Sequence, residues 1–197
     1  MPKSRRCSVA EYFRFVEESP TKLEYKSGEI IDMAGASYEH NRISMNFLFE
    51  VRRRLTDRPC DVNGSDTRVK VADDRYCYPD GSVVCGEVSF DPLDPGRTIT
   101  NPCLILEVLS PSTEAADRGE KFFHYIRVQS LREYFIASQT RPRIESFVRQ
   151  PNGTWVVGPI TDGLEGTLKI GSLDMAITMA EIYRNVLFHE GHRPTSS

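Results

Sequence analysis

The stretch NPCLILEVLSPS (residues 101–112) predicts the strand around which the fold is built. Five of its residues form an apolar run typical of a strand buried on both faces of a sheet: Leu104, Ile105, Leu106, Val108 and Leu109. Glu107 interrupts this run. An ionised carboxylate removed from water is costly unless it is paired, hydrogen-bonded or bound to a metal. Glu107 is therefore either a structural charge or part of a working site.

The composition indicates a soluble globular protein. The chain has 197 residues, of which 39% are hydrophobic and 27% charged. We expect one domain over residues 1–190 and a disordered tail over 191–197. No segment approaches the ~20 apolar residues of a membrane span. The N-terminal residues include basic side chains but no apolar run typical of a secretory signal, so a cytoplasmic protein is predicted.

Charge and cysteine usage narrow the function classes. The net charge is −3, whereas strong nonspecific nucleic-acid binders are usually basic. Any activity on nucleic acid would therefore rely on local basic clusters or metal ions. The five cysteines include no CxxC pair, which argues against a disulfide framework and a structural zinc site. We expect reduced thiols, with Cys85 and Cys103 as small core residues.

The N-terminal third predicts two helices and two strands. A short helix over residues 8–18 begins near Ser8, and two strands flank a turn at residues 27–28, with Glu24 on the first. Ser37 is a plausible N-cap for a helix over residues 39–55. Its apolar stripe has helical spacing and consists of Ile43, Phe47, Leu48, Val51 and Leu55. The basic run Arg52, Arg53 and Arg54 lies largely off that stripe, as a solvated face or a set of phosphate contacts.

The rest of the chain predicts mainly strands. Val69 and Val71 mark one strand, and the next runs from about residue 76 to residue 85. A Pro- and Gly-containing loop leads to the strand of Glu107, which is followed by a helix and the strand LREYFIAS (residues 131–138). Three β segments and a helix near MAEIYRNVLF (residues 179–188) close the chain. This order predicts an α/β (or α+β) fold with a central mixed sheet flanked by helices.

Three charged residues suggest a common site. Asp80 follows Pro79 on the strand before that of Glu107, so neighbouring strands could aim both carboxylates into one cleft. A divalent cation would relieve their repulsion, and oxygen ligands suit Mg²⁺ or Mn²⁺. On the following helix Asp117, Lys121 and Tyr125 share one face at i, i+4 spacing. A lysine beside a metal site fits phosphodiester chemistry, because it orients a nucleophile or stabilises developing charge.

The ordered set YPD (residues 78–80), EVLSPST (residues 107–113), Asp117, Lys121 and Tyr125 resembles the Uma-two family of endonucleases. That family belongs to the PD-(D/E)XK, or restriction-endonuclease-like, superfamily. The likeness spans most of residues 10–140 and includes KLEYKSGEIIDMAGASYEHNRIS and LREYFIAS. It implies a core in the order α-β-β-β-α-β with additions at both termini.

The resemblance also implies roles for individual residues. It makes Asp80 and Glu107 the metal-binding carboxylates and adds Glu24 to the catalytic set. The superfamily lysine would stand two positions after Glu107, where this chain has leucine, and the resemblance places that charge on Lys121. His40 matches a family histidine that could contact phosphate, act as a base or be structural. Gly81 departs from the β-branched residues commoner in the family, and glycine weakens a strand.

The resemblance implies an endonuclease that uses Mg²⁺ (or Mn²⁺) to hydrolyse nucleic acid, with DNA as the expected substrate. His40, Arg52 and Arg53 are the candidate substrate contacts. Analogy with restriction-endonuclease-like enzymes suggests a homodimer, and no membrane partner is expected.

Two alternatives remain open. In the first, Glu107 and Lys121 form a buried ion pair within a catalytically inactive module that binds nucleic acid or protein. In the second, the protein is a hydrolase that uses Cys85 or Cys103 with His40.

Overall fold

A computed structural model describes residues 6–33, 35–109, 119 and 121–188. Its helices are α1 (Val9–Glu18), α2 (Tyr38–Arg54), α3 (Phe122–Tyr125) and α4 (Met179–Ile182). Its strands are β1 (Leu23–Lys26), β2 (Glu29–Asp32), β3 (Cys60–Gly64), β4 (Arg68–Ala72), β5 (Arg75–Cys77), β6 (Gly81–Cys85), β7 (Thr98–Ile99), β8 (Leu104–Leu109), β9 (Glu133–Ser138), β10 (Arg143–Arg149), β11 (Trp155–Val157), β12 (Thr161–Asp162), β13 (Thr167–Ile170) and β14 (Met175–Thr178).

The main sheet has seven strands, in the order β11-β10-β9-β8-β6-β3, and β12 also pairs with β10. Strand β8 is central, parallel to β9 and antiparallel to β6. All six residues of β8 are buried, as the apolar run predicts. The path α2-β3-β6-β8-α3-β9 reproduces the expected order α-β-β-β-α-β, with β4 and β5 inserted after β3.

A second sheet of five strands has the order β2-β1-β5-β4-β7, and β13 and β14 form a separate hairpin. One face of the main sheet packs on α2, α4 and that hairpin, and its core includes Phe47, Leu106 and Ile177. The other face packs on the second sheet and on the α3 region, where Val69 and Tyr125 join Ile105. Alternate residues of β8 therefore enter different cores, and Glu107 faces the second sheet together with Ile105.

The helix starts follow the sequence signals. Ser8 caps α1 through a capping box with Glu11, and the Ser37 hydroxyl accepts a hydrogen bond from the His40 N–H. The predicted apolar stripe of α2 is buried throughout, with Ile43 and Val51 fully enclosed. The helix is thus held by its packing on the main sheet rather than by propensity alone.

The prediction of one strand over residues 76–85 is wrong. The segment divides into β5, which belongs to the second sheet, and β6, which belongs to the main sheet. The break spans residues 78–80, because Pro79 has no N–H to donate to a ladder and the Tyr78 N–H is taken by the Glu24 carboxylate. The chain therefore crosses from one sheet to the other immediately before Asp80.

The expectation that all thiols are reduced is also wrong. Cys60 and Cys85 lie opposite each other on β3 and β6 and form a disulfide. Cys85 is exposed rather than a core residue, since it is the last residue of β6 and follows the buried Val83 and Val84. Cys7, Cys77 and Cys103 are free thiols, and Cys103 is half-buried.

The closing helix is shorter than predicted, since α4 ends at Ile182 and turns follow it. The expected tail over residues 191–197 lies outside the described residues. None of the helices in the described part of the chain is both long and apolar enough to cross a membrane.

Candidate active site between the two sheets

Asp80 is positioned by the crossing between the sheets. The register of β6 and β8 pairs Gly81 with Leu106, and its extension by one residue brings Asp80 opposite Glu107. The Asp80 Oδ2 accepts a hydrogen bond of 2.7 Å from the Val108 N–H. The extended register therefore places the two predicted carboxylates across from each other, with Asp80 just before β6 and Glu107 within β8.

Glu107 is buried, and two side chains of the described residues contact it. Lys121 Nζ lies 3.4 Å from its Oε1, and the Tyr125 hydroxyl donates a hydrogen bond of 2.9 Å to the same oxygen. Both partners come from the α3 region, as the i, i+4 spacing of Lys121 and Tyr125 predicts. Burial, followed by the negative charge of Glu107, raises the pKa of Tyr125 well above its usual value, so the phenol stays protonated and acts as a donor. The third residue of the predicted face, Asp117, lies outside the described residues.

His40 is the unexpected neighbour of Asp80. It lies in the first turn of α2, and its Nε2 is 3.1 Å from Asp80 Oδ2, the oxygen that also receives the Val108 N–H. The Nδ1 of the same ring is buried and has no hydrogen-bond partner among the described residues. His40 therefore contacts a carboxylate of the site, and its Nε2 holds one Asp80 oxygen in place.

Glu24 joins the site through the second sheet. It is 7% exposed on β1, and its Oε1 accepts the Tyr78 N–H at 2.9 Å, two residues before Asp80. The sequence did not indicate Cys77 as part of the site. It is the last residue of β5, directly before Tyr78. Burial, followed by the charge of Glu24, raises the pKa of its thiol, with Glu107 acting in the same direction and Lys121 opposing it. This buried cysteine is thus within electrostatic reach of both carboxylates and the lysine.

Gly81, the departure from the family pattern, has a packing reason. A Cβ built on this residue would lie 2.6 Å from Leu48 Cδ2 of α2. Glycine lets the helix approach the strand closely, and β6 still pairs with β3 over five residues.

The structure does not bring Arg52 and Arg53 to this site. They lie at the C-terminal end of α2, about 18 Å along the helix from His40 at 1.5 Å per residue. Arg53 is engaged by Glu50 and by Glu181. Within the part of the chain that the structure describes, the exposed Arg52 makes one long contact, of 3.5 Å, to the Cys60 carbonyl.

The interpretation as a cysteine hydrolase finds no support. Cys85 is held in a disulfide, and His40 faces Asp80. Burial raises the pKa of Cys103, which opposes the thiolate that a nucleophile needs.

The carboxylate oxygens of Asp80 and Glu107 fit a hard divalent cation that is held partly by water and substrate. Within the described ranges, no group of three or more His, Cys, Asp or Glu side chains is placed to hold a metal ion. Mg²⁺, however, is usually bound through one or two carboxylates, with waters and substrate phosphates completing its shell. Asp80 and Glu107 meet that requirement, whereas a closed zinc site would need four protein ligands.

Comparisons with known proteins show the family and the fold of the chain. The model of the Uma2 family, described as "Putative restriction endonuclease", matches residues 9–177. The uncharacterised protein slr1290 of Synechocystis sp. is 33% identical over 186 residues, covering 93% of this chain and 94% of that protein. The uncharacterised protein sll1609 of the same organism is 34% identical over 151 residues, which is 76% of this chain and 85% of that protein.

The fold is shared with a solved structure. A "putative nuclease belonging to DUF820" from Anabaena variabilis has a TM-score of 0.73 and 14% identity, covering 92% of this chain and 100% of that chain. The α/β architecture expected from the sequence is confirmed as that of this nuclease structure.

Proposed function

The chain belongs to the Uma2 family, described as "Putative restriction endonuclease", and from this premise we propose that it is a metal-dependent endonuclease that hydrolyses phosphodiester bonds of DNA. The observation that carries the proposal is the register of β6 and β8, whose extension brings Asp80 opposite Glu107, with Lys121 Nζ 3.4 Å from Glu107 Oε1. Two carboxylates and an ammonium group in one largely buried site are the parts that hydrolysis of a phosphodiester needs.

In this proposal Asp80 and Glu107 hold Mg²⁺ or Mn²⁺. When bound, such a cation neutralises phosphate charge and lowers the pKa of water. The Val108 N–H and His40 fix one oxygen of Asp80, and the Tyr125 hydroxyl fixes one oxygen of Glu107. Glu24 anchors the Tyr78 backbone, so that Asp80 keeps its place between the sheets.

Lys121 has the role of orienting the attacking water and stabilising the charge that develops on the phosphate. Its ammonium carries three donor hydrogens and a charge that complements a phosphate. The side chain is 16% exposed, so a substrate phosphate can reach it. Because Lys121 approaches Glu107 from α3, it replaces the strand lysine for which this chain has leucine.

The test is cleavage of plasmid DNA with Mg²⁺ or Mn²⁺, together with calorimetric titration of Mn²⁺. Asp80→Asn and Glu107→Gln should abolish both cleavage and Mn²⁺ binding. Lys121→Met should keep Mn²⁺ binding but lower the cleavage rate about a hundredfold, as expected for loss of one preorganised donor. Asp61→Asn, at an exposed position of β3, is the matched control and should behave like the wild type. A wild-type protein that binds no Mn²⁺ and cuts no DNA would refute the proposal.

A second candidate is a catalytically inactive module of the same fold that binds nucleic acid or protein. The ion pair of 3.4 Å between Lys121 and Glu107 favours it, because the pair compensates the buried carboxylate without a cation. DNA retention in gel-shift assays, with no turnover, no Mn²⁺ binding and no effect of Asp80→Asn, would establish this function instead.

A further inference from the structure

The short helix α3 determines where Lys121 lies relative to Glu107. Tyr125 is the last residue of this helix, and Lys121 stands directly before its first. Isolated helices shorter than about 12–15 residues are marginal in water, so a single turn does not hold its own place. A lysine on the strand of Glu107 would be fixed by that strand, whereas Lys121 belongs to a separate element. The contacts of α3 with the rest of the fold therefore decide the position of the ammonium group.

Arg149 fastens the end of α3 to the main sheet. It is the last residue of β10, and its Nη2 donates hydrogen bonds to the Ile126 carbonyl and, at 3.0 Å, to the Val128 carbonyl. The segment with these carbonyls follows Tyr125 directly, at a helix end where backbone acceptors need partners from outside the helix. The guanidinium thus holds the chain just beyond the side chains that contact Glu107.

Trp155 supports Arg149 from the next strand. The two residues lie opposite each other on β10 and β11, and the guanidinium carbon is 5.1 Å from the centre of an indole ring that it faces. In the part of the chain that the structure describes, the Arg149 Nε is buried and has no hydrogen-bond partner. Removing a cation from water is costly, and the two carbonyls and the indole ring compensate for that cost.

Phe122 completes the attachment and is the direct neighbour of Lys121 in the chain. The centre of its ring lies 4.4 Å from that of Phe147 and 6.1 Å, edge to face, from that of Trp155. These two residues belong to β10 and β11, the second and third strands from β8. The helix is therefore joined to Glu107 of β8 on one side and to two more distant strands on the other.

From these contacts we propose that Arg149, backed by Trp155, is a positioning residue for Lys121, an inference that rests on the proposed nuclease function. By holding the carbonyls that follow α3, Arg149 keeps the helix where Lys121 Nζ lies 3.4 Å from Glu107 Oε1. Without the guanidinium the end of α3 is released, and the ammonium loses its fixed place beside the carboxylate.

Cleavage kinetics on plasmid DNA with Mg²⁺ test the coupling between the two side chains. Arg149→Met keeps an apolar stem but loses the donors, and kcat should fall by up to about a hundredfold with little change in KM, since a small misplacement of a catalytic group can cost this much. In a Lys121→Met background the same substitution should cause no further loss, because the group that it positions is already gone. Equal losses in both backgrounds would overturn the proposal.

Two further variants are the controls for these kinetics. Arg149→Lys keeps an amine that can donate to the carbonyls and should recover part of the rate. Arg143→Met removes an arginine from the start of the same strand, where it contacts Glu145 and Asp162, and should cleave DNA like the wild type. Thermal melts verify that each variant is folded. A folded Arg149→Met that cleaves at the wild-type rate would contradict the proposal.

Acetylation of Lys121 reports its position without relying on cleavage. In the wild type the side chain is 16% exposed and lies beside Glu107, so acetic anhydride should label it slowly, as measured by mass spectrometry of peptides. Arg149→Met should be labelled severalfold faster, and Arg143→Met should not. Equal labelling of the wild type and a folded Arg149→Met would overturn the inference. A wild type that cuts no DNA, combined with faster labelling of Arg149→Met, would refute the nuclease function and uphold the attachment of Lys121.

Discussion

His40 shows at the scale of one residue what the sequence could and could not predict. The local pattern placed it in the first turn of a helix, but its contact with Asp80 joins residues 40 positions apart and depends on how α2 packs on β6. Glu107 and Lys121 were more predictable, because one strand and the following helix bring them together. Long-range contacts of this kind depend on tertiary packing, which periodicity does not encode.

We predict that His40 acts as a positioning residue for Asp80. Its Nε2 and the Val108 N–H hold the same oxygen, which orients the carboxylate and leaves Oδ1 for a cation. His40→Ala should weaken Mn²⁺ binding about tenfold or more, in line with the usual cost of losing an outer-shell partner. His40→Gln keeps a donor at a similar reach and should restore most of the affinity.

Calorimetric titration of Mn²⁺ is the measurement, with thermal melts of each variant to separate misfolding from weakened binding. Equal Mn²⁺ affinity in the wild type and in folded His40→Ala would show that His40 is only structural. Failure of the wild type to bind Mn²⁺ would instead count against the proposed nuclease function.

At the scale of elements, the helices and the strand of Glu107 follow from local patterns, and the division between β5 and β6 does not. The sequence predicted one strand across Tyr78 and Pro79. The break depends on Glu24 of β1, which lies far away in sequence and takes the Tyr78 N–H. Pro79 was the visible signal, since proline is confined to edges and ends of strands.

The Glu181 carboxylate links α2 to α4, and its lowered pKa predicts how the stability of the fold depends on pH. Glu181 caps the start of α4 through Thr178 and pairs with Arg54 at the end of α2. Burial alone would raise the pKa of Glu181, but the hydrogen bonds from Thr178 and Arg54 lower it to about 2. A carboxyl with a lowered folded-state pKa stabilises the fold above its unfolded value of 4.5 and loses that contribution as the pH falls toward about 2.

Glu181→Gln should therefore be less stable than the wild type at neutral pH, and the difference should shrink between pH 4.5 and about 2. Urea unfolding across this range measures it. Glu165→Gln, at an exposed position, is the control and should follow the wild-type curve. A gap between Glu181→Gln and wild type that is constant with pH would contradict the assignment.

At the scale of the whole molecule, the fold class and the order of core elements were predictable because they follow from the order of apolar segments. The second sheet was not, because its two local hairpins, β1–β2 and β4–β5, are joined into one sheet only by the long-range pairings of β1 with β5 and of β4 with β7. The disulfide was missed for the same reason: Cys60 and Cys85 become neighbours only when β3 pairs with β6 at the edge of the main sheet. An odd number of cysteines says nothing about which strands become neighbours.

The disulfide is expected to stabilise the whole fold, because it closes a loop between residues 25 positions apart and fixes the edge strand that follows α2. The loop-closure relation gives a contribution of about 3.5 kcal/mol to the free energy of unfolding. The double variant Cys60→Ser with Cys85→Ser should lose about this amount in urea unfolding without reductant. Adding a reductant to the wild type should lower its stability equally and leave the double variant unchanged.

Cys103→Ser, which removes a free half-buried thiol, separates the loss of the cross-link from the loss of a side chain. Alkylation of the unfolded, unreduced wild type should label three thiols, Cys7, Cys77 and Cys103, and labelling of all five cysteines would contradict the bond.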